Sequence, residues 1–375
     1  MVNQERMLSE FPELVRITSP SLEEREIAEV LKNKLISLGL NVVEDNAGQS
    51  IGGNCGNLIA TFPSTLPQAP VLMLAAHMDN VEPCRGVNPI VIDGIVRSSG
   101  NTVLGGDDKA GLVSILEALR QVKEQNIPHG EIQVVFSIAE EGGSGAKHID
   151  RTLLHANLGY VFDSSGSPGK IIDKAPGENS LTFDVYGRSA HAGIAPQDGL
   201  NAITMAAKAL SRIPDGRINE ITTANIGTFH GGLATNIVPE TVVIKGEVRS
   251  LSLTELEEIS NQIKSVFERV INDHGGKSQV TVKRVYDPYE LTTDMPVISI
   301  AQAAIRKLGW EPVLKASGGG SDANYYNPYG IPCAVLGIGT QKIHTPEEYI
   351  KVDDLYKSAE LAIELIQHAG GQENA

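Results

Sequence analysis

The sequence of 375 residues has few cysteines: Cys55, Cys84 and Cys333 are widely spaced, and no two of them form a Cys-x-x-Cys pair. This spacing favours a reducing compartment, and it argues against both a disulfide framework and a zinc site made of thiolates. No run approaches the roughly 18 apolar residues that a membrane span needs. Residues 1–13 also lack the basic and apolar regions of a signal peptide. We therefore expect a cytoplasmic protein with no membrane partner.

Basic residues are in the minority, because 31 Lys and Arg stand against 46 Asp and Glu and give a net charge of −15. No basic field exists to attract phosphate, which excludes nucleic acid as an expected partner. The hydrophobic fraction of 41% and the charged fraction of 21% are ordinary for a globular protein. A chain of this length can form two domains, each with its own core.

The first part of the chain has an α/β pattern. Residues 21–24 have the spacing of a capping box and precede a helical apolar pattern that ends at Gly39. Short apolar runs then alternate with a helical stretch, which predicts an α/β domain with a largely parallel sheet. The runs lie at 58–62, 71–76, 132–139 and 160–162, and the helical stretch lies at 111–123.

The middle third has a different order of elements, β-α-β-β-α-β, which is the split βαβ pattern. The predicted strands are 180–187, 221–229, 241–249 and 278–286, and the predicted helices are 200–213 and 253–274. After residue 288 the α/β pattern returns, with helices near 297–308 and 353–369 and an apolar run at 333–338. We therefore predict a discontinuous domain of residues 1–177 and 292–375, interrupted by an inserted domain of residues 178–291.

Residues that can bind metals close three of the predicted strands: His77 with Asp79, Glu140 with Glu141, and Asp163. Open α/β sheets place their sites at the carboxyl ends of strands. A carboxylate such as Asp79 can fix the tautomer of a nearby imidazole and raise its basicity as a ligand. Each residue alone is more simply explained as an ordinary strand end.

Asp107 and Asp108 lie between glycines at the head of a predicted helix, and His344 follows a glycine-rich turn. A solvated turn with an aspartate N-cap explains the first pattern equally well, and a plain loop explains the second. Taken together, however, five candidates supply two imidazoles and three carboxylates, which suit Zn²⁺, with Mn²⁺ or Co²⁺ as alternatives: His77, Asp107, Glu141, Asp163 and His344. A shared aspartate suits two ions about 3.5–4 Å apart.

These motifs resemble the zinc-dependent M20 family of aminoacylases and carboxypeptidases, and especially its peptidase T branch. The matching strings are His77-Met-Asp79, Gly106-Asp-Asp-Lys-Ala-Gly111, Glu140-Glu141-Gly142, Asp163, and His344-Thr-Pro-Glu-Glu348. The likeness extends over nearly the whole chain. It implies a mixed-sheet, zinc-exopeptidase-like catalytic domain interrupted by a split βαβ (ferredoxin-like) lid or dimerisation domain.

The resemblance also assigns the metal ligands. It implies that His77 and Asp163 bind one Zn²⁺, that Glu141 and His344 bind a second, and that Asp107 bridges the two ions. In such proteins the peptide bond after the bridging aspartate is cis.

The remaining catalytic roles also follow from the resemblance. Asp79 would support His77, and Glu140 would act as general base, taking a proton from the attacking water and passing it to the leaving amine. In the inserted domain, His191 resembles a histidine that stabilises the tetrahedral oxyanion. The residues that resemble substrate-binding positions are Asn236, Arg249, Ser317, Gly319 and Asp322.

A peptidase T-like enzyme would remove the N-terminal residue of tripeptides or other short peptides. A carboxypeptidase or N-acyl-amino-acid amidohydrolase would share every metal ligand, and the Thr-Pro-Glu-Glu string after His344 departs from peptidase T. Two other classes stay open: a non-catalytic metal-binding protein, and a two-metal phosphoesterase, for which Lys109 and Arg249 are the available cations. The inserted domain could form a homodimer, but related folds also act as monomers.

Overall fold

The computed structural model describes residues 2–142 and 145–371. The helices in these ranges are α1 (Gln4–Val15), α2 (Arg25–Leu38), α3 (Ala47–Ile51), α4 (Gly106–Glu124), α5 (Ala202–Leu210), α6 (Leu253–Asp273), α7 (Pro296–Lys307), α8 (Ala323–Tyr326) and α9 (Val352–Ala369). The strands are β1 (Asn41–Glu44), β2 (Leu58–Phe62), β3 (Leu72–His77), β4 (Pro89–Ile92), β5 (Ile95–Ser98), β6 (Ile132–Ser137), β7 (Leu158–Ser164), β8 (Lys170–Ala175), β9 (Gly177–Tyr186), β10 (Gly216–Arg217), β11 (Thr222–Gly231), β12 (Thr241–Ser250), β13 (Lys277–Tyr286), β14 (Tyr289–Glu290), β15 (Val313–Ala316), β16 (Cys333–Gly337), β17 (Thr340–Gln341) and β18 (Tyr349–Lys351).

The chain divides into two compact units. The first unit comprises Met1–Asp173, Leu291–Ala316 and Ser321–Ala375, and the second comprises Lys174–Glu290 and Ser317–Gly320. The second unit is therefore an insertion that also takes in a short glycine-rich segment from further along the chain.

The first unit is built on a mixed sheet with the strand order β1-β2-β6-β3-β7-β16-β8. The central strands β6, β3, β7 and β16 are parallel to one another, whereas β1, β2 and β8 pair with their neighbours in the antiparallel sense. The mixed sheet implied by the resemblance is confirmed, and the largely parallel sheet predicted from alternation alone is wrong at the edges. There, β1 and β2 are joined by a chain reversal, which produces an antiparallel pair.

The central strands of this sheet are buried along their length. Every residue of β3 and β6 is buried, as expected for strands covered on both faces. Helix α4 packs against β3 and α9, and most of its residues are buried too. The carboxyl ends of β3, β6 and β7 thus lie together at one edge of a covered sheet.

The start of α2 differs from the prediction. The N-cap of α2 is Glu24, and its side chain makes no capping hydrogen bond. Ser21 instead donates its hydroxyl to Asp79, 2.6 Å away. The capping box predicted for residues 21–24 is therefore wrong, because a long-range partner competes for the serine side chain.

The second unit is an antiparallel sheet with the order β10-β11-β12-β9-β13, covered by α5 and α6. Its element order is the predicted β-α-β-β-α-β, with the two-residue strand β10 added between α5 and β11. Burial alternates along β9, so that one face of the sheet packs on the helices. The core of this unit includes Phe183, Ile244, Ile263 and Phe267.

A smaller sheet of the first unit has the order β17-β18-β5-β4. Its β4–β5 hairpin turns at Asp93 and Gly94, which both have positive φ. No helix in the described part of the chain is long and apolar enough to span a membrane.

Candidate metal centre

The carboxyl edge of the mixed sheet brings together four of the predicted site residues. His77 is the last residue of β3, Asp163 lies near the end of β7, and Glu140 and Glu141 follow β6 after two residues. Because these three strands lie side by side and parallel, their ends present the side chains to one space.

Asp107, at the head of α4, lies between the two histidines. Its Oδ1 is 3.3 Å from Nε2 of His77, and its Oδ2 is 3.3 Å from Nε2 of His344. His77 Nε2 also lies 3.6 Å from Asp163 Oδ1, and His344 Nε2 lies 2.8 Å from Glu141 Oε1. The site therefore has two halves, one on each oxygen of Asp107.

Possible ligand atoms also cluster when they are grouped by distance alone. His77, Asp107 and Glu141 form one group, and His77, Glu140 and Asp163 form another, with the ligand atoms of each group within 4.8 Å of one another. This grouping omits His344 and includes Glu140, so it differs from the two halves described above. We favour the two halves, because each oxygen of Asp107 contacts its own histidine.

The charges of the site fit cation binding. Burial, together with the nearby carboxylates of Asp107 and Glu141, raises the pKa of Asp163 to about 7. Burial and the charge of Asp163 also raise the pKa of Glu140 well above its ordinary value. The clustered acids repel one another in a desolvated space, and divalent cations would relieve that repulsion. The donor set of imidazole nitrogens and carboxylate oxygens suits Zn²⁺, Mn²⁺ or Co²⁺.

The two histidines are held by acids. Hydrogen bonds to Asp107 and Glu141 raise the pKa of His344 to about 10. For His77, burial opposes the charged form, but hydrogen bonds to Asp107, Asp163 and Asp79 raise its pKa well above the ordinary value. Metal binding to either imidazole would therefore displace a proton.

Asp79 connects His77 to the turn that carries Glu140 and Glu141. This fully buried carboxylate lies 3.3 Å from Nδ1 of His77. It accepts the backbone N–H of Glu140 at 3.0 Å and that of Glu141 at 3.1 Å, as well as the hydroxyl of Ser21. Asp79 therefore orients a predicted ligand and the predicted base together.

The backbone at the site has unusual conformations. The Asp107–Asp108 peptide bond is cis, as predicted, and His344 and Ala139 are non-glycine residues with φ of 63° and 49°. Asp108 Oδ2 accepts the backbone N–H of His77 at 3.1 Å. Left-handed backbone of this kind persists only where surrounding contacts hold it, and it clusters at functional sites.

Sequence reasoning missed Glu348 as an individual contributor. Its buried carboxylate accepts the backbone N–H of Gly105 at 2.8 Å and that of Asp107 at 3.0 Å. Burial and the charge of Asp107 raise the pKa of Glu348 to about 7. The Thr-Pro-Glu-Glu string after His344 contains this residue, but nothing in the string indicates that its last carboxylate accepts backbone amides at the head of α4.

Lys109 is a second residue whose role the sequence did not indicate. It is fully buried, and its ammonium donates to Ser19 Oγ, Met78 O and Asn80 Oδ1. Burial lowers its pKa to about 8. These contacts hold Lys109 inside the first unit, so it does not serve the phosphoesterase alternative as a cation for substrate phosphate.

In the second unit, His191 and Asn236 lie on neighbouring segments. His191 forms an antiparallel bridge with Ile237, and the N–H of Ala192 donates to the carbonyl of Asn236. The His191 Nδ1 accepts the backbone N–H groups of Gly193 and Ile194, each at 3.2 Å. A neutral His191 therefore carries its proton on Nε2, where it can be donated.

Arg249 is engaged in ion pairs within the second unit. Its guanidinium lies 2.9 Å from Glu247 and 3.0 Å from Glu178. A Cβ built at Gly319 would lie 3.7 Å from Arg249 Nη1, so the glycine-rich segment passes close to this group. Ser317 Oγ accepts the N–H of Gly319 at 3.1 Å. The predicted role of Arg249 in substrate binding stays a prediction.

Asp322 lies in the first unit and is buried. One of its carboxylate oxygens accepts a short hydrogen bond from Ser137 at the end of β6, and the other has no partner among the described residues. Burial raises the pKa of Asp322 to about 6. Its predicted role in substrate binding likewise stays a prediction.

Known families and solved structures include proteins that are similar to this chain over most of its length. The model of peptidase family M20/M25/M40 matches residues 73–368. The Bacillus subtilis protein YqjE is 43% identical over 98% of the chain and 100% of its own length. The crystal structure of aminopeptidase PepT from Bacillus cereus has a TM-score of 0.91 at 43% identity, covering 98% of this chain and 99% of that one. A tripeptidase from Staphylococcus aureus has a TM-score of 0.95 at 42% identity, covering 99% of this chain and 100% of that one.

Proposed function

The chain belongs to peptidase family M20/M25/M40 and is a peptidase, and from this premise we propose that it is a two-metal exopeptidase that removes the N-terminal residue of short peptides. The relatives named aminopeptidase PepT and tripeptidase, at 43% and 42% identity, support the choice of substrate end and length. The observation that carries the metal proposal is Asp107, which contacts His77 through one oxygen and His344 through the other.

The proposed ligands divide along these two oxygens. His77 and Asp163 would hold one ion, Glu141 and His344 the other, and Asp107 would contact both. Zn²⁺ is the preferred metal, with Mn²⁺ and Co²⁺ as alternatives. When bound, two such ions supply Lewis acidity that polarises the scissile carbonyl and activates a water molecule.

The side chains around the ligands would perform the proton transfers. Glu140 would take the proton of the attacking water and deliver it to the leaving amine. Asp79 would keep His77 and the Glu140–Glu141 backbone in place. His191 would donate a hydrogen bond from its Nε2–H to the oxyanion.

We propose different roles for the two domains of the chain. Residues 1–177 and 292–375 would form the catalytic domain, and residues 178–291 the lid or dimerisation domain. The proposed substrate contacts are Asn236, Arg249, Ser317, Gly319 and Asp322. A homodimer through the lid is part of the proposal, and the partner at the active site is a short peptide.

A substrate panel tests the proposal. Metal-reconstituted protein is assayed on one tripeptide in free, N-acetylated and C-amidated forms, on a dipeptide, on an N-acetyl amino acid and on a phosphodiester, each with and without chelator. We expect cleavage of the free and C-amidated tripeptides at the first bond, with products identified by mass spectrometry, and loss of turnover on chelation.

Other outcomes separate the alternatives. Release of the C-terminal residue would indicate a carboxypeptidase, and preference for the N-acetyl amino acid would indicate an amidohydrolase. Binding of metal without turnover of any compound would indicate a non-catalytic metal-binding protein. Turnover that survives chelation would contradict the metal proposal.

A further inference from the structure

Two turns near the proposed base have left-handed backbone at non-glycine residues. Ala139, directly before Glu140, has a φ of 49°, and Leu22, in the loop before α2, has a φ of 75°. This conformation is unfavourable for side chains with a Cβ, so contacts must hold it. We refer to residues 139–142 as the base turn and to residues 21–24 as the N-terminal clamp.

One carboxylate oxygen holds both turns. Glu24 Oε1 accepts the backbone N–H of Leu22 at 3.0 Å and that of Ala139 at 2.8 Å. The Glu24 side chain is fully buried, and its Oε2 has no hydrogen-bond partner among the described residues. The backbone of the base turn therefore depends on a residue 115 positions earlier in the chain.

Ser21 of the N-terminal clamp is linked to the base turn in two further ways, indirectly through Asp79 and by its closeness to Gly142. Ser21 donates its hydroxyl to Asp79, which itself accepts the N–H groups of Glu140 and Glu141. A Cβ built at Gly142 would lie 3.0 Å from Ser21 Oγ and 3.1 Å from Ser21 Cβ. The glycine thus lets the two segments approach closely.

Capping of its own helix does not explain why Glu24 is buried. As the N-cap of α2, Glu24 could bond the first amides of its own helix, but its side chain makes no such bond. No ion pair of Glu24 occurs among the residues the structure describes. Burying an acid without a cation is costly. The hydrogen bonds that Glu24 accepts come from the N-terminal clamp and the base turn.

We propose that Glu24 is a positioning residue that aims Glu140 by holding the strained base turn through the N–H of Ala139. This inference rests on the proposed function, because it takes Glu140 as the base. It predicts that loss of the acceptor at position 24 impairs the chemical step more than substrate binding or metal binding.

The test compares Glu24→Ala, Glu24→Gln and Glu24→Asp with Glu26→Ala, an exposed acid in the first turn of the same helix. For Glu24→Ala we expect kcat to fall about 10–100-fold, which is the usual cost of losing a group that orients an active-site residue. Metal content should be unchanged, and KM should stay within about threefold of wild type. Glu24→Gln keeps an oxygen acceptor, so its kcat should stay within about fivefold of wild type. The side chain of Glu24→Asp is one methylene shorter, so its kcat should fall as in the alanine variant. Glu26→Ala should match wild type.

A second readout needs no turnover. Amide hydrogen exchange of peptides covering residues 136–142 should be faster in Glu24→Ala and Glu24→Asp than in wild type, and near wild type in Glu24→Gln. Unchanged exchange elsewhere reports a retained fold. If Glu24→Ala does not fold, Glu24→Asp carries both measurements.

Three results would overturn the inference: unchanged kcat in Glu24→Asp, a kcat loss that matches loss of metal, or equal losses in the glutamine and alanine variants. The proposed function is judged separately, by the wild-type protein and Glu140→Gln. Absence of wild-type peptidase activity would contradict that function, while hydrogen exchange would still decide whether Glu24 holds the base turn.

Discussion

Each oxygen of Asp107 faces a different histidine, so replacement of this residue should affect both halves of the site. Asp107→Asn keeps the shape of the side chain but removes the negative charge and turns one oxygen into a donor. We expect metal content to fall from two ions per chain to one or fewer, and turnover to be lost. Elemental analysis after dialysis measures this, with the exposed Asp353→Asn as control. Two retained ions in Asp107→Asn would contradict the bridging role.

Glu140 and Glu141 are adjacent acids with different proposed tasks, and this provides a matched pair of variants. Glu140→Gln should keep both metals and lower kcat by about 10²–10⁴, the usual weight of general acid–base catalysis. Glu141→Gln should lose metal instead, because Glu141 Oε1 lies 2.8 Å from His344 Nε2. Parallel kinetics and elemental analysis separate the two roles. Metal loss in Glu140→Gln, with full occupancy in Glu141→Gln, would reverse the assignment.

The proposed ligands could be predicted from sequence because each follows a local signal, such as the apolar run that places His77 at a strand end. Glu24 and Glu348 could not, since their partners are backbone amides 115 and 241 residues away. A carboxylate that accepts distant N–H groups carries no mark in its own neighbourhood of the sequence. The capping-box spacing of residues 21–24 even pointed to a different role.

At the scale of elements, a buried ion-pair cluster joins α1, α2 and α4. Glu10 of α1 accepts two hydrogen bonds from Arg120 of α4, at 2.6 and 2.7 Å, and lies 3.0 Å from Lys34 of α2. Glu10→Gln should lower the free energy of unfolding by about 2–3 kcal/mol, because it removes the charge that accepts two hydrogen bonds from the mostly buried Arg120 and leaves only the more distant carboxylate of Glu117, 4.0 Å away. Denaturant unfolding measures this. Glu13→Gln removes an exposed partner of Lys34 and should cost about 0–1 kcal/mol.

The same cluster predicts a pH dependence of stability. Burial opposes the charged form of Glu10, but the bonds from Arg120 and Lys34 lower its pKa below the ordinary 4.5. A lowered folded-state pKa stabilises the protein above pH 4.5, and this contribution is lost as the pH falls through the folded-state pKa. The difference in unfolding free energy between wild type and Glu10→Gln should therefore shrink below pH 4.5. A difference that stays constant there would contradict this account.

Elements were predictable where the pattern was long and regular. The strands of the two larger sheets that alternate or stay apolar, such as β2, β6 and β12, lie within a few residues of their predicted bounds. The β4–β5 hairpin was not, although Asp93-Gly94 is a strong turn signal and both residues have positive φ in the structure. Its strands are four residues each, too short for periodicity alone to reveal.

At the scale of the molecule, all the proposed ligands belong to the first unit, although they come from positions 77 to 344 of the chain. Metal binding should therefore stabilise this unit as a whole, because an unfolded chain cannot assemble the site. The clustered acids around Asp163 add to the effect, since their repulsion is relieved only when cations are present. At a free metal concentration of 100 times Kd, binding at one site raises the free energy of unfolding by about 2.7 kcal/mol.

Calorimetry with increasing Zn²⁺ should show a rising Tm, and chelator should reverse the rise. Hydrogen exchange should place the gained protection in peptides of the first unit, near residues 73–163, with residues 181–286 little changed. Asp107→Asn is the control that separates this site from weak surface binding, because it removes the shared ligand and leaves exposed acids intact. An equal Tm rise in Asp107→Asn would mean that the stabilising ions bind elsewhere, and protection confined to the second unit would contradict the position of the site.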